Sequence, residues 1–192
     1  MHVTNTNNRL SVFNPIVLPD ATKKLKISFY WNAIVIDGET FELDVSAVIL
    51  NNDLKTNTAS DIIFYNQRNT GHGVYHAGDN LLLVKNENAK TILHVDIDKL
   101  PDDTKEVRLI LTINDAKNRN LDFTRIEKIL MTFVDEDTNH EICYYSFNSK
   151  DVDFSACESV RLIKTENGWK LLPLEFCSDL NLQQIFEFYS RK

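Results

Sequence analysis

Glycine, proline and cysteine are scarce in this chain. Five glycines and four prolines in 192 residues leave no stretch that reads as a hinge-like linker or a low-complexity segment. Three cysteines, Cys143, Cys157 and Cys177, are odd in number and widely spaced. That fits neither a disulfide framework nor a zinc cluster, and it predicts reduced, mostly buried thiols. Long apolar runs are missing too, since none approaches the ~20 residues of a membrane span. Positive charge is in deficit: 21 Lys and Arg stand against 28 Asp and Glu, a formal net charge of −7. Such a balance works against nonspecific binding to nucleic acid and tolerates cationic partners. The opening MHVTNTNNRLSVFNP has no charged-then-apolar leader pattern, so a cytoplasmic location is the expectation.

What is present is strand after strand. A hydrophobic content of 43% suits one globular domain over residues 1–192, able to bury about 70% of its unfolded surface. In GETFELDVSAVIL, Phe41, Leu43, Val45, Ala47 and Ile49 alternate with period two, the mark of a strand with one buried face. Its other face starts acidic, at Glu42 and Asp44, and turns apolar only at Val48 and Leu50. Further strands are predicted over 25–30, 61–65, 73–76, 90–96, 107–113, 129–134, 141–147, 160–163 and 169–172. Asp122 is placed to cap a helical turn through 123–127. DEDTN (135–139) and Asn167-Gly168 read as hairpin turns. The tail, 179–190, is the one convincing helix: Leu182, Ile185, Phe186 and Tyr189 recur at helical spacing, suited to covering a sheet edge or face. Together these elements predict an all-β chain: a two-sheet β-sandwich with short helices and a C-terminal helix.

Catalytic signatures are missing. There is no nucleophile elbow, phosphate-binding loop or dinucleotide fingerprint. His72 and His76 are four apart, but no Glu follows His72 and glycines disfavour a helix there. DEDTN opens like a calcium-binding helix–loop–helix segment, yet His140 and Ser146 stand where that loop needs glycine and glutamate. Glu42 and Asp44 share a strand face without an apolar pocket to separate their proton affinities. A noncatalytic protein is the expectation. Asp37, Asp44, Asp61, Asn66, Asp79 and Asn80 instead offer oxygen atoms from several loops, the chemistry calcium takes in a flexible shell of about 6–8 ligands.

FELDVSAVIL, DIIFYN and HAGDN, in that order and spacing, resemble the signature segments of the TerD family of tellurium-resistance and stress-response proteins. KTILHVDIDKLPDDTKEVRLILTINDA and DFTRIEKILMTFVDEDT continue the resemblance, which runs from about Lys24 to about Leu172. The resemblance implies a β-sandwich and calcium held in acidic loops beside those segments. Carried onto this chain, the implied ligands are Asp37, Asp44, Asp61, Asn66, Asp79 and Asn80, with Glu87 a further donor. It also implies a stress-response module in contact with other stress-response or tellurium-resistance proteins, with an indirect association with the membrane surface.

The chain departs from the family pattern where the ion would sit. After GDN the family has glycines and a dense acidic run. Here LLLVKNENAK (81–90) puts Leu83 and Lys85 at glycine places and Ala89 and Lys90 at acidic ones. Asn86, Glu87 and Asn88 remain as oxygen donors. Asn32 stands in place of a usual acid, and the paired asparagines after the tyrosine become Asn66-Gln67. Calcium affinity tracks the number of charged ligands, so two expectations stay open: a calcium-binding module, or a structural or protein-interaction paralogue that has lost the ion.

Overall fold

The computed structural model describes residues 9–11, 13–33, 43–78 and 90–190. Two antiparallel sheets face each other. One sheet orders β1 (Ile16–Val17), β11 (Gly168–Ser178), β10 (Ala156–Thr165), β7 (Glu106–Ile113), β3 (Leu43–Leu50) and β4 (Ile62–Ile63). The other orders β5 (Val74–His76), β6 (Thr91–Asp96), β2 (Lys24–Ala33), β8 (Ile126–Asp135) and β9 (His140–Phe147). Period-two alternation does the sorting. Val45, Ala47 and Ile49 of β3, with Leu109 and Leu111 of β7, meet Ile27 and Phe29 of β2 and Met131 and Phe133 of β8 in one continuous core. The expected sandwich is the observed one. Among the described residues, no helix is long and apolar enough to cross a membrane.

The outer face of the six-stranded sheet is covered as well. Val48, Leu50, Ile62 and Ile110 form a second apolar cluster with Ile185 and Tyr189 of the helix α2 (Leu182–Ser190). This explains why the back of β3 turns apolar at Val48: that half of the strand lies under α2. Each large side chain so buried is worth about 1.5–3 kcal/mol. The helix begins at Leu182 rather than at 179 because Asn181 and Gln184 cap each other. The Gln184 amide donates to Asn181 Oδ1, and the Asn181 amide donates to Gln184 Oε1, both at 2.9 Å.

Local chemistry sets the connections. Asp122 accepts from the Thr124 amide at 2.9 Å and caps the 3₁₀ turn Phe123–Arg125, as its sequence position predicts. In the β8–β9 hairpin, Asp135 accepts from the Thr138 amide and hydroxyl, each at 2.9 Å, while Asn139 takes φ +54°. The β10–β11 turn is centred on Glu166-Asn167, and only Gly168, at φ +93°, uses the left-handed region. The expected strand at 61–65 shrinks to Ile62–Ile63. Asp61 ends the 3₁₀ turn Ala59–Asp61, and Phe64 and Gln67 exchange backbone hydrogen bonds across a tight turn. A short helix α1 (Ala116–Arg119) follows β7. The margins of the six-stranded sheet, β1 and β4, are two residues each.

Candidate ion-binding end of the sandwich

Strand register decides which predicted ligands can meet. Leu43 of β3 faces Ile113 of β7, and Ala33 of β2 faces Ile126 of β8. Those strand ends, with His76 closing β5 and Thr91 opening β6, lie on one side of the sandwich. Segments 34–42 and 79–89 both attach there. They carry Asp37, Asp79, Asn80 and Glu87, which lie outside the described residues. Asp44, half-buried, is the second residue of β3 and lies opposite Thr112.

Asn66 lies in that direction. Because Ala47 pairs with Ile63 and Val48 with Ile62, β4 runs back toward the Asp44 end of β3 and leads into the Phe64–Gln67 turn, with Asn66 exposed. Arg68 fastens this turn to the mouth of the 79–89 segment. Its Nε donates to the Tyr65 carbonyl at 2.9 Å, and its own carbonyl accepts from the His76 amide at 2.8 Å. The guanidinium then lies against Gly78, where φ is +106° and an added Cβ would sit 3.0 Å from Nη1. The backbone conformation favours glycine here, whereas the guanidinium, at the end of a flexible side chain, has room to shift.

Asp61 does not join them. The same register sets it beside Ile49, five positions along β3 from Asp44, roughly 17 Å away at ~3.3 Å per residue. Its carboxylate is also occupied: Oδ2 accepts from the Asn57 and Thr58 amides at 2.8 Å each, and Oδ1 meets His72 Nδ1 at 2.7 Å. Asp61 is 1% exposed, a capping residue at the far end of the strand. Its sequence position before an apolar pair shows that it opens a strand but not which way that strand runs. The expected ligand set is therefore divided, with Asp61 set apart from Asp44. Among the described residues, no group of three or more His, Cys, Asp or Glu side chains could hold a metal.

A polar cluster that the sequence reading did not single out lies under α2. Arg108 of β7 donates from Nε to Glu106 Oε1 at 2.5 Å, from Nη1 to Glu158 Oε2 at 2.9 Å, and from Nη1 to the Tyr189 hydroxyl at 2.6 Å. Tyr189 in turn donates to Glu158 Oε2 at 2.6 Å, and Arg161 Nη1 reaches Glu106 Oε2 at 3.4 Å. Burial works against the Arg108 charge, but the hydrogen bond to Glu158 and the neighbouring acids outweigh it and raise its pKa. Burial, then the bond to Glu158, raises that of Tyr189. The available signal was Glu106 and Arg108 interrupting an apolar strand on one face.

A TerD domain family profile matches residues 16–189. General stress protein 16U of Bacillus subtilis (strain 168) is 30% identical over 152 residues, 77% of each chain. Tellurium resistance protein TerD of Serratia marcescens is 28% identical over 149 residues, again 77% of each. A crystal structure of a homologue of telluride resistance protein (TerD) from Streptomyces coelicolor A3(2) superposes with a TM-score of 0.67. It is 12% identical, covering 90% of this chain and 100% of that one, a likeness of fold.

Proposed function

Since the chain belongs to the TerD domain family, we propose that it is a noncatalytic stress-response module, linked to resistance to tellurite or related chemical stress. The observation that carries this reading is the family match over 16–189, together with relatives named for stress response and tellurium resistance. Its partners in this reading are other stress-response or tellurium-resistance proteins, met in the cytoplasm. The noncatalytic part is supported by four of the described acids: Asp61, Asp135, Glu106 and Glu158 each serve internal hydrogen bonds.

Calcium is the proposed ligand of the Asp44 end. Asp44 and Asn66 supply a carboxylate and an amide oxygen from the described residues, and Asp37, Asp79, Asn80 and Glu87 belong to the segments attached there. Asp61 is left out of this set. Bound calcium would tie the two segments to the sheet end through hard oxygen ligands. The occupied carboxylate of Asp61 and the lysines at 85 and 90 favour a second reading, a paralogue that keeps the sandwich without the ion.

Calorimetric titration of metal-stripped protein with calcium, with magnesium as control and a melting curve alongside, separates the two. The calcium reading expects a stoichiometric, calcium-selective signal and a raised melting temperature, both lost in Asp79→Ala and kept in His72→Gln. If neither signal appears through millimolar calcium, the paralogue reading stands. The stress role is tested apart from the ion: a strain lacking this chain should lose tolerance to tellurite and regain it on complementation.

A further inference from the structure

Two cysteines far apart in sequence meet in space. Cys157 of β10 is paired across the ladder with Cys177 of β11, and their Sγ atoms lie 2.7 Å apart. Directly opposed residues of antiparallel strands have Cα atoms ~4.5–5.5 Å apart, within the ~4.4–6.8 Å that a disulfide spans. Joining these sulfurs requires no rearrangement of the sheet.

An irregularity in the ladder creates the pair. Glu158 faces Phe176 but Val160 faces Pro173, so β11 carries one extra residue between these points; against β7, where Glu158 faces Ile110 and Val160 faces Leu109, Ser159 of β10 is itself the extra residue. On β11 the intervening stretch includes Glu175, held at φ +50°. Val160 and Leu162 point into the core, and past the shift so does Cys157, while Glu158 turns outward to Arg108. Regular alternation from Val160 would have sent Glu158 inward and Cys157 out. The bulge thus gives two sulfurs one shared inner face at the rim of the sheet.

The sulfurs are not equivalent. Cys157 is fully buried, whereas Cys177 is partly exposed beside the exposed Glu175 and Phe176. The close contact with Cys157 holds the Cys177 thiol below its ordinary value, against burial and the Glu175 charge. The same contact and burial push Cys157 far up. Cys143 is buried, and desolvation with the Glu141 charge pushes it up to about 12. Thiolate character and access favour reaction at Cys177.

We propose that Cys157 and Cys177 form a peroxide-oxidisable dithiol site, in which Cys177 takes the first oxidation and Cys157 closes the disulfide. The co-reactant is a hydroperoxide. The Cys177 thiolate attacks one peroxide oxygen, an S–O bond forms as the O–O bond breaks, and the departing oxygen leaves as hydroxide and is protonated to water. Cys177 has then lost two electrons and is a sulfenic acid. Cys157 Sγ next attacks Cys177 Sγ; the S–O bond breaks, and hydroxide leaves with the Cys157 proton as a second water. Two thiols and one hydrogen peroxide become one disulfide and two waters. The site rests on this geometry and is independent of the calcium and stress readings.

The test treats fully reduced full-length protein with stoichiometric hydrogen peroxide, blocks free thiols by alkylation and maps peptides by mass spectrometry without reductant. The expected product is an intrachain Cys157–Cys177 crosslink with Cys143 alkylated. Peroxide-driven thiol loss should fall at least about tenfold in Cys177→Ser and be unchanged in Cys143→Ser. In Cys157→Ser, dimedone should capture a sulfenic acid at Cys177. A second measurement on the unmutated chain uses phenylarsine oxide, a trivalent arsenical that bridges paired thiols. It should protect Cys157 and Cys177 together at one arsenic per chain. Recovery of both cysteines as free thiols after peroxide, crosslinks only between chains, or first oxidation at Cys143 overturns the proposal.

Discussion

Tyr189 donates its hydroxyl hydrogen to Glu158 Oε2 at 2.6 Å while accepting from Arg108 Nη1 at the same distance. One oxygen therefore closes a buried charge cluster that spans two strands and the helix above them. Backbone contacts reinforce the seat: the Thr56 amide donates to the Tyr189 carbonyl at 3.0 Å, and Lys55 Nζ donates to the Phe188 carbonyl at 2.7 Å.

Replacing Tyr189 with Phe keeps the ring and deletes that oxygen. Glu158 and Arg108 each lose a partner in a buried site, a cost of about 1–3 kcal/mol. Urea denaturation should show a lower midpoint, and amide exchange should quicken first across Leu182–Ser190. A midpoint equal to the parent's would mean that water replaces the hydroxyl without loss.

Asp61 serves as a structural cap. Asp61→Ala removes the acceptor for two backbone amides and His72, and should cost about 2 kcal/mol. His72→Gln, at a position about one-third exposed, should cost less than about 1 kcal/mol. If Asp61→Ala abolished calcium binding while leaving stability untouched, the capping assignment would be wrong.

The carboxyl of Asp135 is held below its ordinary range by hydrogen bonds from Thr22 and Thr138. A depressed folded-state value adds stability above the unfolded pKa, near 4, that is lost as pH falls through the folded value. Asp135→Ala should therefore be less stable than the parent at pH 7, and the gap should narrow below about pH 4. Melting temperatures across pH 2–7 measure it, and a gap that widens on acidification contradicts the assignment.

Two nearby glycines differ in their surroundings. At Gly73, φ is +83° and a Cβ would lie 2.7 Å from the Asp96 carbonyl oxygen; at Gly71, φ is +82° with nothing within 4 Å. Gly71→Ala should cost about 1 kcal/mol, the left-handed penalty alone. Gly73→Ala should cost at least about 2 kcal/mol more, since backbone must move. Equal costs from chemical denaturation would count against the packing at 96–100.

Much of the fold is legible from alternation and capping. Val45, Ala47 and Ile49 announce their inward face, Asp122 announces its 3₁₀ turn, and Leu182, Ile185 and Tyr189 announce their helix. Contacts that depend on strand direction or on irregular register are not legible. Asp61 looked like a neighbour of Asp44 until the antiparallel course of β4 set them apart. Cys157 and Cys177, twenty residues distant in sequence, become partners only through a bulge that no period-two pattern encodes. The charge cluster was hidden because α2 buries a strand face that would otherwise meet water.

The two-residue margins of the larger sheet have a bearing on solubility. An extended stranger drifting past β1 or β4 meets only two residues' worth of strand geometry to copy, too short a template to anneal onto. Stacking of molecules into ribbons through these borders is disfavoured. Among the described residues, the larger sheet therefore offers a passing chain no long border to extend, in contrast to the eight-residue border β9 of the smaller sheet.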